Sequence, residues 1–181
     1  SFFLQLSHGP YYTFFSIYLE AQDYSKSAIG VLWSLGVIAE VLLFIGMHRV
    51  LAAFSLRNIV LWSLGLSCLR WLLIAYFVEY PVVLIFAQCL HAASFGSYHA
   101  ASIEIIRRSF VGHQGQGMAL YSGLSFGLGG AAGAVLSGWA WDLSGVLCFT
   151  VAAFAAAVAF AIAWHYLRSP LYEQSAITEH S

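Results

Sequence analysis

Arg70 stands between Leu69 and Trp71, deep in a run of apolar residues, and Glu40 interrupts another such run at Ile38-Ala39-Glu40-Val41. His91 and His99 lie in a third run. His8 precedes Gly9-Pro10 in a fourth, followed at once by Tyr11, Tyr12, Phe14 and Phe15. These residue types can do a definite kind of chemistry. The planar guanidinium of arginine matches a carboxylate in a two-point fork. A carboxylate or an imidazole can take up and release a proton, and histidine does so near physiological pH. Arg70, Glu40, His91, His8 and His99, with Tyr11 beside them, are therefore candidates for holding an anionic solute and handling a coupled proton. The plainer reading is a buried Glu40–Arg70 ion pair locking two helices, with the histidines as packed core residues. Both readings stand at this point.

Other chemistry finds little support. Cys68, Cys89 and Cys148 are far apart, lack CxxC spacing and lie in apolar runs, so they read as small core residues rather than a disulfide framework or a zinc site. No ATP-binding motif and no nucleophile–base pair is present. An enzyme is not expected, nor is any cofactor or metal. Glu104 sits three and four residues before Arg107 and Arg108, a spacing that predicts a local ion pair on one helix face.

The elements that must position these residues follow from composition. The chain is 61% hydrophobic and only 8% charged, against about 25% charged in a typical soluble domain. Its mean hydropathy is +0.80. The net charge of -1 offers no basic patch for nucleic acid. A lipid bilayer is the solvent that suits such a chain. Crossing it takes about 20 apolar residues in a helix, and the runs give six spans: Ser1–Leu19, Ser27–Met47, Asn58–Val78, Val82–Ile106, Gly117–Trp141 and Val146–Leu167. Residues 1–168 are expected to form a six-helix half-bundle, and 169–181 a polar tail.

Arg49, Arg57, Arg107, Arg108 and Arg168 all fall on one side of these spans, while the other side holds Lys26 with Glu20, Asp23, Glu79 and Asp142. The positive-inside rule places the arginine-rich side and the tail in the cytoplasm. A weak repeat is also visible. Gln5-x-x-His8 in the first span matches Gln88-x-x-His91 in the fourth, and Leu32-Trp33-Ser34 in the second matches Leu120-Tyr121-Ser122 in the fifth. Three helices per unit would give the copies opposite topology, an inverted 3+3 repeat. His8-Gly9-Pro10 is expected to interrupt its helix, because proline removes a backbone donor. Gly123/Gly127 and Gly129/Gly133 are candidate close-approach pairs in the fifth span.

These segments resemble the C-terminal half, helices 7 to 12, of a major facilitator superfamily transporter. Within it the chain is similar to the 3-phenylpropionate transporter-like family of bacterial permeases. The resemblance is carried by Leu6-Ser7-His8-Gly9-Pro10-Tyr11-Tyr12, Tyr24-Ser25-Lys26-Ser27-Ala28-Ile29-Gly30, Leu69-Arg70-Trp71, Leu90-His91-Ala92-Ala93-Ser94-Phe95-Gly96 and Ser122-Gly123-Leu124-Ser125-Phe126-Gly127. A more distant resemblance is to the lactose permease branch, which carries an acid on helix 8, an arginine on helix 9 and a histidine on helix 10. The corresponding helices carry Glu40, Arg70 and His91 here. The sequence departs from the superfamily in its second break, where only Gly46-Met47-His48-Arg49 and Arg57 remain of the basic loop motif. It departs from the lactose branch in having no acid beside His91.

The resemblance implies an all-α membrane protein of the bacterial inner membrane that moves a small-molecule solute by alternating access with protons. An aromatic carboxylate such as 3-phenylpropionate is the favoured solute. The chain begins at Ser1 in apolar sequence, without the basic n-region of a signal peptide, so an N-terminal six-helix half of the same polypeptide is the expected partner. A sugar or nucleoside symporter, a non-transporting six-helix anchor or sensor subunit, and an inactive remnant are the alternatives.

Overall fold

Local chemistry sets where the helices start. Ser25, Ser55 and Ser144 stand in extended backbone, and their side-chain oxygens accept hydrogen bonds from the N–H groups of Ala28, Asn58 and Leu147 at 3.2, 3.2 and 3.0 Å. Such caps satisfy donors that a helix start leaves free. Pro81 occupies the first turn of its helix, where its missing N–H costs nothing. Asp23 (φ 61°) and Gly112 (φ 80°) turn the chain through the left-handed region between helices.

The computed structural model describes residues 1–167, which form six helical rods: α1 Phe2–Glu20, α2 Lys26–Ala53, α3 Leu56–Phe77, α4 Pro81–Ser109, α5 Gln114–Leu143 and α6 Gly145–Tyr166. No strand occurs among the described residues. Arg168 and the tail 169–181 lie outside them. Rods α2 to α6 are long and apolar enough to cross a membrane, so this is a multi-pass membrane protein. By the same measure α1 falls short, because Gln5, Ser7, His8, Gly9 and Pro10 fill its first half. All five are buried. They are covered by protein, which is where polar groups at membrane depth are tolerated.

The packing has an internal symmetry. α1 packs against α5 and α6, α4 packs against α2 and α3, and α3 packs along α6. Exchanging the first three rods for the last three reproduces the same pairs. The repeat motifs fall in register with this exchange. Trp33 Nε1 donates to Ser16 Oγ at 3.0 Å, and Tyr121 Oη meets His99 Nδ1 at 2.9 Å. Ser16 and His99 stand at the same spacing after His8 and His91. The two short sequence matches are thus equivalent positions in an inverted 3+3 arrangement.

Three local expectations need correction. α1 runs without a break through Pro10. The Leu6 carbonyl, which Pro10 leaves without its helical donor, faces the backbone of Gly133 on α5, where a side chain would not fit. The distortions lie elsewhere: Ala92–Gly96 in α4 and Gly123–Gly129 in α5 are π-helical. α2 continues to Ala53 rather than ending near Met47. His48 and Arg49 end the apolar run, but no proline follows them and Gly46 stays helical, so the helix runs on. Of the glycine pairs, Gly129 and Gly133 touch the backbone of α1, while Gly123 and Gly127 meet nothing from another helix.

Candidate functional site

Arg70 projects from the middle of α3 and is fully buried. Its guanidinium is held by neighbours that carry no charge. Nε donates to the Ala87 carbonyl at 3.1 Å and Nη2 to Gln88 Oε1 at 3.4 Å. The rings of Tyr11 and Trp71 lie 4.2 and 4.4 Å from its central carbon. Nη1 has no partner. The expected Glu40–Arg70 ion pair is not formed: among the described residues no carboxylate reaches Arg70. Taking an ion out of water costs several kcal/mol, and each desolvated ring contact offsets roughly 2 kcal/mol. The cation is tolerated where it is, but one end of its fork stays unused.

Glu40, on α2, pairs instead with His91 on α4, Oε2 to Nε2 at 3.7 Å. That is a charge contact too long for a direct hydrogen bond. Glu40 keeps 20% of its side chain exposed, against 8% for His91, and so forms the open rim of the cluster. Gly96 makes this approach possible, since a methyl group there would press on Leu43 and on Glu40 itself. His91 Nδ1 has no partner.

His8 and His91, the equivalent histidines of the repeat, meet with ring centroids 6.1 Å apart. His8 Nδ1 lies 2.9 Å from the Leu4 carbonyl. A carbonyl only accepts, so the ring proton sits on Nδ1 and Nε2 is a bare acceptor, buried and unpartnered. Trp71 stands edge-on to the His8 ring at 4.9 Å, and its indole N–H donates to Ser7 Oγ at 3.2 Å.

Tyr11 ties the group together. Its hydroxyl donates to Gln88 Oε1 at 2.9 Å while its ring covers Arg70. Trp33 packs on it at 4.4 Å, and the exposed Tyr12 ring stacks on Trp33 at 6.5 Å. From His91 an aromatic file runs down α4. Phe95 stacks parallel on His91 at 5.2 Å and on His99 at 6.1 Å, and His99 reaches Tyr121. Phe95 and Phe126, one from each π-helical stretch, meet edge to face at 6.4 Å. π-helical turns often mark functional sites. At the far end of α4, Glu104 bonds Arg107 and Arg108 at 2.6 to 2.7 Å as its spacing predicts.

Arg70, Tyr11, Glu40, His91 and His8 therefore converge in one cluster, and His99 lies at the end of its aromatic file. Sequence reasoning noted Gln88, Trp33 and Phe95 only as motif residues and did not place them in the site. Gln88 was visible as an amide in an apolar run one helical turn before His91, which was its available signal. The arrangement offers donors (Arg70 Nη1, Gln88 Nε2), acceptors (His8 Nε2, Glu40) and a wall of aromatic rings. That is a set suited to binding a small polar-ended aromatic molecule. Arg70 is fully buried with the Tyr11 ring over its guanidinium, so a ligand reaches it only if part of this cover moves.

A family model described as "MFS_1 like family" matches residues 1–153, the stretch that contains every residue of this cluster. The "Probable 3-phenylpropionic acid transporter" of Escherichia coli (strain K12) is 34% identical over 153 residues, which is 84% of this chain and 40% of that protein. The "Uncharacterized transporter YwbF" of Bacillus subtilis (strain 168) is 28% identical over 119 residues, covering 65% of this chain and 29% of its own length. The chain spans less than half the length of these relatives. No solved structure matches it.

Proposed function

Because the chain belongs to the MFS_1 like family, we propose that it is the C-terminal six-helix half of a secondary transporter, working by alternating access with an upstream half of the same polypeptide. The proposed solute is an aromatic carboxylate of the 3-phenylpropionate type, carried with a proton across the bacterial inner membrane, with the arginine-rich helix ends in the cytoplasm. The observation that carries the solute reading is Arg70: a buried guanidinium with no carboxylate partner among the described residues, a free Nη1 and two aromatic rings against it. A solute carboxylate would supply the missing counter-charge, and its ring would extend the Tyr11, Tyr12 and Trp33 stack. The name of the Escherichia coli relative points to the same class of solute.

Glu40 and His91 are the proposed proton carriers, since one is a carboxyl group at an open rim and the other an imidazole facing it. The faces left bare in this half support a partner half. Within an apolar 18-residue stretch of each helix, only 17% of α2 and 22% of α5 is buried, against 44 to 56% for α3, α4 and α6. Uptake of labelled 3-phenylpropionate by the full-length protein, with unlabelled competitors, tests the reading. A competing aromatic acid that blocks uptake supports it. Competition by a neutral sugar or a nucleoside in its place would transfer the function to that solute. No uptake of any of the three favours the anchor or sensor alternative.

A further inference from the structure

Gln88 sits where an anion would be expected. Its carboxamide oxygen accepts from Arg70 Nη2 at 3.4 Å, well beyond the roughly 2.7–2.9 Å of a bond between a cation and a carboxylate. The same oxygen holds the Tyr11 hydroxyl at 2.9 Å, and that ring is what covers the guanidinium. The amide is fully buried and its Nε2 has no partner. It is seated against bare backbone of α2, where a methyl group on Gly36 would come within 3.3 Å of Oε1. One neutral oxygen thus does two things: it partly satisfies a buried cation and tethers the ring that closes over it.

The geometry points to Gln88 as the internal stand-in for the solute carboxylate, and so as the residue that sets affinity for anionic solutes. An arriving carboxylate takes Arg70 Nη1 and Nη2 with its two oxygens. The amide gives up Nη2, and the Tyr11 ring that covers the guanidinium swings clear to admit the solute. No charge within the protein has to be broken from a partner for this exchange, because Gln88 is neutral. This inference rests on the anionic-solute reading above and adds to it the residue with which the solute competes.

The test uses full-length protein with Gln88→Glu and the shape-conserving Gln88→Met. Calorimetric binding is measured for 3-phenylpropionate and for its uncharged amide, and melting temperature is measured without ligand. Gln88→Glu puts a carboxylate beside Arg70, so it should weaken 3-phenylpropionate by at least about tenfold while changing the uncharged amide by less than about threefold, and it should raise the melting temperature. Gln88→Met removes the competitor; it should bind 3-phenylpropionate at least as tightly as wild type and melt lower. Equal weakening of both probes by Gln88→Glu, or loss of 3-phenylpropionate binding in Gln88→Met, would overturn the inference. If wild type binds neither probe, the solute reading fails. The melting temperatures then decide the role of Gln88 by themselves, and Gln88→Glu melting below Gln88→Met overturns it.

Discussion

Arg70 is the residue on which most depends, because its surroundings are tailored to it. Trp71, Tyr11, the Ala87 carbonyl and Gln88 each contact a different part of one guanidinium. Lysine cannot reproduce a planar group that stacks on rings and donates in a fork. Arg70→Lys and Arg70→Gln should therefore both cost about 2–5 kcal/mol of 3-phenylpropionate binding, read by calorimetry on the full-length protein. Binding retained in Arg70→Lys would mean that only charge matters. Tyr11→Phe should lower stability by only about 1 kcal/mol, since one hydrogen bond is lost while the ring stays in place; a denaturation curve checks this. The candidates at this scale were legible because charged and imidazole groups are costly in apolar runs. Their partners were not. Glu40 faces His91 rather than Arg70 because the choice depends on how α2 and α4 are rotated, which spacing within one helix does not contain.

At the scale of the element, close approach of α1 and α5 is the main constraint. A methyl group on Gly9 would enter the Gly133 backbone, and one on Gly133 would enter that of Leu6. Gly133→Ala should then cost about 3 kcal/mol, the upper end for overpacking, since neither backbone can yield as a side chain can. Gly130→Ala has open space and should melt like wild type. Thermal denaturation of the two variants side by side checks the contrast. The helix starts were legible through Ser25, Ser55, Ser144 and Pro81. The end of α2 was not, because the apolar run and the helix stop for different reasons. The π-helical turns were also hidden. A change in backbone pairing over a few residues leaves no periodic mark, and Gly123–Gly129 reads equally well as a packing stripe. Conversely, Pro10 signalled a break that does not occur, because Gly133 lets α5 pack over the carbonyl that proline leaves free.

For the whole molecule, the six-rod plan and its inverted repeat were both legible, the first from hydropathy and the second from two short motifs. What those motifs could not convey was that the symmetry brings the His8 and His91 rings within 6.1 Å of each other. The loops carry a prediction about orientation. With Cys68, Cys89 and Cys148 removed, a cysteine at His113 should react with a membrane-impermeant maleimide only after cells are opened, and one at Asp23 should react in intact cells. The reverse pattern would invert the topology that the arginines imply.

The most direct measurement is solute accumulation by the full-length protein in proteoliposomes under an imposed proton gradient. 3-Phenylpropionate should accumulate against its gradient when protons flow inward with it. An uncoupler should abolish this, and so should Arg70→Gln. Accumulation that survives the uncoupler, or persists in Arg70→Gln, would contradict the proposed function.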